Sequence, residues 1–178
     1  MSLAYKLVDS PVGELKLVAS DTGLVAILWE NDDLRRVPLE DLAEAANHPI
    51  LVQAEAELKD YFTGRKATFS LPLDIRGTSF QKQVWEALLG IPFGETRTYG
   101  DIARQLRNPA ATRAVGAANG RNPISIVVPC HRVIGANGKL TGFAGGLEAK
   151  EHLLKLETSR SGLFGVPQHS VEAGDHEV

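Results

Sequence analysis

The residue types best suited to chemistry lie together in residues 129–133, which read Pro-Cys-His-Arg-Val. A cysteine thiolate is a strong nucleophile, and neighbouring side chains such as His131 and Arg132 favour the thiolate over the thiol. In a flat strand, Cys130 and His131 would point to opposite faces, so a working pair requires a turn, which Pro129 permits. The residues alone leave a second interpretation open, in which Cys130 is an inert core thiol.

Four predicted elements around this segment bear on whether Cys130 is reactive. A buried apolar strand is predicted over residues 124–128, immediately before the proline. A hairpin turn is predicted at residues 135–138, followed by a loop over residues 141–146, whose three glycines let backbone amides approach a flat ligand. A final helix is predicted over residues 147–157. Glu157 at its end is unfavourable for the helix dipole, which indicates either another task, such as orienting a histidine, or a solvated helix end.

The charge of the chain is strongly asymmetric. The whole chain carries a net charge of −3, but residues 76–160 hold twelve basic and six acidic side chains, whereas residues 1–75 hold seven basic and thirteen acidic ones. Between Arg97 and Arg132 there are six arginines, no lysine and a single acid, Asp101. An arginine-only set is suited to bidentate contacts with phosphate or bases. Charge alone leaves two interpretations open, a nucleic-acid-binding surface and a solvated positive face.

A helix-turn-helix pattern lies within this basic region. Thr98 caps a predicted helix over residues 99–106, a tight turn follows at residues 107–109, and a second helix starts at the end of that turn and reaches about residue 119. The second helix is rich in alanine and glycine, with Arg113 as its one long side chain. Small residues allow a helix backbone to approach a narrow groove without reading its sequence, and tight packing inside the domain is the alternative explanation.

The N-terminal half is predicted to be a small α/β scaffold without visible chemistry. Runs over residues 5–8, 14–19 and 24–29, separated by turn signals, predict an antiparallel meander. The remaining elements of this half are predicted as helices over residues 39–46 and 49–62 and a strand over residues 69–71.

A shift from acidic to basic composition near residues 74–77 marks the predicted domain boundary, and Thr78 or Ser79 caps a helix that runs to Leu89. The resulting division is a scaffold domain over residues 1–75, a second domain over residues 76–157 and a flexible acidic tail over residues 158–178.

Composition excludes several classes of protein. One cysteine permits no internal disulfide, and one cysteine with five scattered histidines makes no plausible zinc site, so neither a metal nor a cofactor is expected. No apolar run approaches the length of about 20 residues that a membrane span requires, and the N-terminus lacks the apolar run of a signal peptide. A cytoplasmic protein without membrane contact, acting as a monomer, is the expectation.

The segment around Cys130 closely resembles the O6-alkylguanine-DNA alkyltransferases, a family of direct-reversal DNA repair proteins. The resemblance extends from Phe80 to Glu157 and includes the spacing of Tyr99, Arg113, Asn122, Cys130 and Glu157. It implies an α/β N-terminal domain of the ribonuclease H-like type and a mostly α C-terminal domain with a winged helix-turn-helix. It also implies an irreversible, stoichiometric transfer of the alkyl group of O6-alkylguanine to the cysteine after the damaged nucleotide has been flipped out, with O4-alkylthymine as a further candidate substrate. The DNA is double-stranded and is bound through the minor groove, largely without regard to sequence.

The resemblance also implies roles for individual residues. Cys130 corresponds to the alkyl acceptor, His131 to the base that activates it through a water molecule, and Glu157 to the carboxylate that orients the histidine. Tyr99 corresponds to the residue that crowds the adjacent phosphate and donates to the leaving guanine, and Asn122 joins the DNA-binding helices to the active-site segment. The implied DNA-binding residues are Arg113, which fills the stack that the guanine left, together with Tyr99, Ala114, Ala117, Ala118, Arg121 and Arg132. The implied substrate pocket consists of Val133, Phe143, Ala144 and Gly145.

One departure from the family pattern concerns position 143, where this chain has Phe and many relatives have Tyr. The ring can still pack on a base, but any contact made by the hydroxyl is lost. Two rival functions remain to be distinguished from alkyl transfer. The first is a lesion-binding or regulatory helix-turn-helix protein that leaves Cys130 unmodified, and the second is a cysteine hydrolase that uses Cys130 and His131.

Overall fold

The computed structural model describes residues 2–160 of the chain, and within these residues it forms two compact units. The first unit runs to Arg76 and includes Pro123–Val127, and the second holds Gly77–Asn122 and continues from Val128. The predicted boundary lies within a residue of the first division, but the return of residues 123–127 to the first unit is not part of the prediction. No helix among residues 2–160 is both long enough and apolar enough to cross a membrane.

The first unit is built on a four-stranded sheet whose strand order is β3-β2-β1-β4. The first three strands form the antiparallel meander that the sequence predicts, and Leu15, Leu17 and Ile27 are fully buried in its core. Gly13 closes the first turn with a φ of +102°, a conformation that glycine adopts without steric cost. The strands are β1 (Leu3–Val8), β2 (Leu15–Ala19), β3 (Leu24–Trp29) and β4 (Leu42–Glu44).

The helix predicted over residues 39–46 is wrong, because this segment contributes the strand β4. Strand β4 pairs in parallel with the edge of β1, and the carbonyl of Asp41 accepts a hydrogen bond from the backbone N–H of Leu3. Leu39 and Leu42 pack against a buried cluster that includes Leu3 and Val18. A segment this short is a weak helix on its own, so pairing and burial outweigh its local preference.

The strand predicted over residues 69–71 is also wrong. The backbone N–H of Ser70 donates to the carboxylate of Glu57 at 2.8 Å, so it is not available to a strand partner. The bridge to the sheet comes later, where Leu73 pairs with Leu24. The helix α1 (Pro49–Phe62) confirms its prediction in full, and the turn after it places Gly64 at a φ of +79°.

The apolar run predicted as a strand over residues 124–128 does not form one. Ile124 makes a single isolated bridge to Ile27, and Ile126 has a φ of +77°, which interrupts an extended backbone. The run is nevertheless buried, and the indole N–H of Trp29 donates to Ser125 Oγ at 3.1 Å within the first unit. Burial therefore explains the apolar composition of this run without a strand.

The second unit is mostly helical. Capping boxes start two of its helices, one between Thr78 and Gln81 and the other between Thr98 and Asp101. A 3-10 turn over Pro109–Ala111 precedes the second helix of the helix-turn-helix pattern, which therefore begins two or three residues later than predicted. The elements of this unit are α2 (Ser79–Leu89), β5 (Arg97–Thr98), α3 (Tyr99–Gln105), α4 (Thr112–Gly120), β6 (Val133–Ile134) and α5 (Leu147–Arg160).

The second unit differs from the prediction at two further places, the turn after β6 and the end of α5. A turn forms at residues 135–138, but β6 before it pairs in parallel with β5, and no strand follows the turn among the described residues. Helix α5 continues past Glu157 to Arg160, whose positive charge in the last turn suits the helix dipole, so residues 158–160 do not belong to a flexible tail. The rest of the predicted tail, residues 161–178, lies outside the described residues.

Helices α2 and α4 pack closely around a buried tryptophan. The indole N–H of Trp85 donates to the carbonyl of Ala118 at 2.8 Å. At Gly77 an added Cβ would lie 2.5 Å from the Trp85 ring, so the position before α2 has no room for a side chain unless the ring moves. This packing fixes α4 on α2 and leaves the opposite side of α4 exposed.

Candidate active site

Cys130 begins a short turn that brings the residues around it into a compact arrangement. Residues Cys130–Arg132 form one turn of 3-10 helix, and the backbone N–H of Cys130 donates to the carbonyl of Val128 at 2.8 Å. The turn replaces the flat strand that would have sent Cys130 and His131 to opposite faces. Cys130 is 4% exposed, so access to its thiol is restricted.

His131 and Glu157 form a buried pair. Nε2 of His131 lies 2.7 Å from Oε2 of Glu157, and the two side chains are 0% and 1% exposed. Burial is the main cause that lowers the pKa of His131 below its ordinary value of 6.5, in spite of the opposing charge of Glu157. Burial alone would raise the pKa of Glu157, but the charges and hydrogen bonds of His131 and Arg132 outweigh it and hold this pKa below its usual value of 4.5.

These two pKa shifts determine where the proton lies on the imidazole. At neutral pH His131 is neutral and Glu157 is ionised, and an ionised carboxylate can only accept hydrogen bonds. Nε2 therefore carries the proton, and Nδ1 keeps its lone pair. Nδ1 is buried and has no hydrogen-bond partner among residues 2–160. The arrangement thus presents a neutral base whose tautomer is fixed by Glu157.

Arg132 points inward and makes three hydrogen bonds. Its Nε and Nη2 atoms donate to the two carboxylate oxygens of Glu157 at 2.7 and 3.0 Å, and Nη1 donates to the carbonyl of Ile91 at 2.6 Å. The residue is 7% exposed, with its guanidinium 5.8 Å from the centroid of the Phe93 ring. This placement argues against the DNA-binding role predicted for Arg132, because the guanidinium is used inside the unit to hold Glu157.

Two asparagines connect the end of α4 to the segment around the cysteine. Asn122 is fully buried, and its side-chain amide donates to the carbonyl of Val128 at 2.7 Å. The amide of Asn119 lies 3.5 Å from the carbonyl of Cys130, which is at the limit of a hydrogen bond. Asn122 is one of the predicted site residues, whereas Asn119 is not, because in the sequence it is an ordinary polar residue near a helix end.

The short parallel pairing of β5 with β6 positions Tyr99. Arg97 and Thr98 pair with Val133 and Ile134, so Tyr99 begins α3 beside the segment that follows Cys130. The Tyr99 hydroxyl lies 2.5 Å from the hydroxyl of Thr141. Thr141 was not among the predicted site residues, although it begins the glycine-rich loop that the sequence marks for close approach to a ligand.

Lys150 is a buried cation that was not among the predicted site residues. Its ammonium group donates to the carbonyl of Val133 at 2.7 Å and to the carbonyl of Thr141 at 3.4 Å, and it lies 6.0 Å from the centroid of the Phe143 ring. Burial lowers the pKa of Lys150 to about 8, against an attraction to the charge of Cys130 that raises it. The spacing of positions 150, 153 and 157 places Lys150 on the buried face of α5, and this was the available signal.

The pocket residues predicted downstream of the turn differ in exposure. Val133 is fully buried, and its carbonyl is one of the two that hold Lys150. Phe143, Ala144 and Gly145 are partly exposed in the loop before α5. Lys150 holds the start of this loop through the carbonyl of Thr141.

Helix α4 presents one exposed face and one packed face. Ala118 is 3% exposed and its carbonyl accepts the Trp85 hydrogen bond, so its placement argues against the predicted contact with DNA. Gly116 lies between the two faces, and a Cβ added there would lie 3.8 Å from the Tyr99 ring. The exposed face consists of Arg113, Ala114 and Ala117 and continues to Arg121 at the helix end.

The described residues contain no group of three or more His, Cys, Asp or Glu side chains that could hold a metal ion. Cys130 instead shares its unit with a neutral imidazole of fixed tautomer, a buried ammonium group and an exposed arginine-bearing helix. A cysteine with these neighbours is expected in the class of proteins that use an activated thiol as nucleophile.

Comparison with known proteins identifies the family. Residues 79–159 match the model of the 6-O-methylguanine DNA methyltransferase DNA-binding domain, and residues 3–75 match the ribonuclease-like domain of the same proteins. The methylated-DNA--protein-cysteine methyltransferase of Methanosarcina mazei is 50% identical over 153 residues, which are 86% of this chain and 96% of the relative. The chain therefore belongs to the family of the methylated-DNA--protein-cysteine methyltransferases.

Relatives from mycobacteria agree with this assignment. The methylated-DNA--protein-cysteine methyltransferase of Mycobacterium tuberculosis is 47% identical over 159 residues, 88% of this chain and 93% of the relative. The crystal structure of Mycobacterium tuberculosis OGT in complex with DNA matches with a TM-score of 0.81 and 44% identity, over 95% of this chain and 99% of that chain. The two-domain organisation, with a ribonuclease-like domain followed by a DNA-binding domain, is thus confirmed.

Proposed function

We propose that this chain repairs DNA by direct reversal, transferring the alkyl group of O6-alkylguanine to Sγ of Cys130 once per molecule. The observation that carries the proposal is the buried pair of His131 and Glu157, which leaves Nδ1 of His131 as a base in the same 3-10 turn as the thiol. Membership of the methyltransferase family supports the reaction, and the buried pair beside Cys130 supports the choice of residues.

The transfer requires no cofactor, because the thiol, the alkyl group and the guanine account for every bond that forms or breaks. The proton of the Cys130 thiol passes to Nδ1 of His131 through a bridging water molecule, and the resulting thiolate attacks the alkyl carbon in line with its bond to O6. The new S–C bond forms as the C–O6 bond breaks, and the electron pair of that bond goes to the guanine. The Tyr99 hydroxyl donates a hydrogen bond to the leaving base, and the proton that His131 took from the thiol balances the proton that restores neutral guanine.

The product explains why each molecule acts once. A thioether at Cys130 is not hydrolysed by a neighbouring base, so no step regenerates the thiolate. The loop that contains Phe143, Ala144 and Gly145 forms the wall of the base pocket together with Val133. Phe143 packs on the base through its ring alone, because it has no hydroxyl.

The DNA-binding surface in this proposal is the helix-turn-helix of α3 and α4, with the segment around β6 as a wing. The exposed alanines Ala114 and Ala117 let α4 enter the minor groove closely, and contacts to the phosphate backbone do not depend on sequence. A guanine inside a duplex must be flipped out before its O6 can reach a thiol, at a cost of a few kcal/mol. Arg113 on the first turn of α4 fills the stack from which the base has left.

All the residues assigned to the reaction belong to one unit of one chain, so we propose that a monomer is active. Its partner is double-stranded DNA, and O4-alkylthymine is a second possible substrate because it presents an alkyl group on an equivalent oxygen.

Intact mass after mixing with a duplex that carries one O6-methylguanine tests the proposal. We expect a gain of one CH₂ per chain, located on Cys130 by peptide mapping and ending at one equivalent. Cys130→Ala serves as the control, and it should bind the duplex like the wild-type protein without any gain in mass. A wild-type protein that binds the lesion but gains no mass would instead be a lesion-binding protein, and release of a product over many turnovers would indicate a hydrolase.

A further inference from the structure

The connection between α3 and α4 contains an arginine in an unusual backbone conformation. Arg107 has a φ of +61°, in the left-handed region that side chains with a Cβ rarely adopt. The backbone N–H of Arg107 donates to the carbonyl of Arg104, and that of Asn108 donates to the carbonyl of Ala103. This pair of hydrogen bonds is the Schellman motif that ends many helices. The left-handed position of that motif is usually occupied by glycine, because glycine adopts this conformation without steric cost.

Contacts within the fold do not account for the arginine. Its side chain is exposed, and its guanidinium has no hydrogen bond or ion pair with any residue between 2 and 160. The neighbouring Arg104, by contrast, pairs with Asp101, which also caps α3 through the backbone N–H of Thr98. The backbone strain at this position is not offset by any side-chain contact within the described residues. We take this as an indication that the side chain binds a ligand outside the chain.

The location of Arg107 indicates the chemistry of its ligand. It lies immediately before the 3-10 turn that leads into α4, whose first turn carries the exposed Arg113. Asp101 is the one acid in residues 97–132, and it is already engaged, so no carboxylate of this stretch competes for the guanidinium. A helix with small residues on its outer face brings the protein close to the phosphate strands that border a groove.

We propose that Arg107 binds a phosphate of the DNA backbone and anchors the connection between α3 and α4 on one strand. The inference rests on the proposed function, because it assumes that α4 faces DNA. A planar guanidinium can donate two parallel hydrogen bonds to a phosphate, which explains an arginine at a position where glycine would fold more easily. The contact is to the phosphate backbone of the DNA, so it adds the same affinity for every DNA sequence.

The test compares Arg107→Gly and Arg107→Lys with a charge control, Arg65→Gln. Arg65 is an exposed arginine of the first unit with no side-chain hydrogen bond or ion pair among the described residues. The measurements are thermal unfolding, the affinity for undamaged duplexes of two unrelated sequences between about 50 and 200 mM salt, and alkyl transfer from the free base O6-benzylguanine.

Arg107→Gly should raise the melting temperature by about 2–4 °C, because it removes the left-handed strain. It should also weaken binding about fivefold for both sequences and reduce the slope of log affinity against log salt by about one. Arg107→Lys should keep the slope, and Arg65→Gln should change neither the slope nor the affinity beyond about twofold. Transfer from the free base should stay at the wild-type rate in all three variants.

Two results would overturn the inference. One is an Arg107→Gly protein with the salt slope of Arg65→Gln, and the other is an Arg107→Gly protein that melts below the wild type, which would show that the arginine supports the fold. In either case a normal gain of one alkyl group on Cys130 leaves the proposed function intact. A wild-type protein that gains no alkyl group from lesion-bearing DNA or from the free base would refute the proposed function instead.

Discussion

Nε2 of His131 lies 2.7 Å from Oε2 of Glu157, although 26 positions separate the two residues in the chain. His131 belongs to the 3-10 turn that begins at Cys130, and Glu157 belongs to the last part of α5. The carboxylate therefore acts on the imidazole from a different element and fixes which nitrogen carries the proton. In this protein the orientation of the base depends on where α5 is anchored.

Replacement of Glu157 by glutamine should slow alkyl transfer about 100-fold. The side-chain amide can donate to Nε2 as well as accept from it, so it no longer restricts the proton of His131 to Nε2, and Nδ1 loses its role as base in part of the molecules. Single-turnover transfer from lesion-bearing duplex measures the change. Glu151→Gln is the matched control on the same helix, because Glu151 makes only an exposed ion pair with Lys155. A loss shared equally by both variants would contradict the role of Glu157.

Replacement of Arg132 by methionine should lower the free energy of unfolding by about 3 kcal/mol at neutral pH, because the buried carboxylate of Glu157 loses the guanidinium that pairs with it. Arg132 helps to hold the pKa of Glu157 below its usual value of 4.5, so this carboxylate stabilises the wild-type protein above about pH 4.5 and the stabilisation is lost as the pH falls further. In the variant the pKa of Glu157 lies higher, and acidification should therefore cost less stability than in the wild type.

Urea unfolding at about pH 7, 5 and 3 checks both parts of this prediction. Arg35→Met provides the control, since Arg35 forms an exposed ion pair with Asp33 and its loss should leave the urea midpoint of unfolding close to that of the wild type. Parallel stability curves for the wild type and Arg132→Met between pH 5 and 3 would show that Arg132 does not act on the ionisation of Glu157.

Elements whose signals are local were predictable from the sequence. Thr78 with Gln81 and Thr98 with Asp101 are capping pairs three residues apart, and both helices begin where these pairs place them. Strand β4 was mistaken for a helix because its structure depends on pairing with β1, some forty residues away in the chain. The apolar run before Cys130 is a similar case. Its composition predicted its burial correctly, but it did not predict the backbone conformation, which departs from a strand at Ile126.

In the site, too, the residues that belong to a sequence motif were predicted, and the contacts between segments far apart in the chain were not. The motif around Cys130 and the spacing to Glu157 led to the residues of the buried pair, whereas the inward position of Arg132 depends on Ile91 and Glu157, which lie 41 and 25 positions away. An arginine in a basic stretch reads as a surface residue until these contacts are known. Lys150 escaped notice because buried lysines are rare, and the two carbonyls that it contacts lie 17 and 9 positions before it in a segment without a regular hydrophobic pattern.

Replacement of Lys150 by methionine should slow transfer about 10-fold at pH 7 and less than about threefold at pH 9. The pKa of Lys150 is about 8, so its ammonium is charged at pH 7, where it stabilises the negative charge of the Cys130 thiolate, and is mostly neutral at pH 9. Single-turnover rates of both proteins at the two pH values give the ratio. Lys155→Met, an exposed change on the same helix, should leave the ratio near one. A ratio for Lys150→Met that does not change with pH would mean that the lysine acts through packing alone.

Replacement of Arg113 by alanine should separate base flipping from chemistry. Arg113 is exposed on the first turn of α4 and makes no hydrogen bond or ion pair with the described part of the chain, so its removal should leave the fold and the thiol unchanged. If its side chain fills the stack left by the guanine, transfer from duplex DNA should fall about 100-fold, while transfer from the free base O6-benzylguanine, which needs no flipping, should stay within about twofold. Arg65→Ala controls for the loss of one positive charge and should affect neither substrate. Equal losses on duplex and free base would place Arg113 in the chemical step, and a loss on duplex that excess protein restores would assign it to DNA affinity rather than to the flipped state.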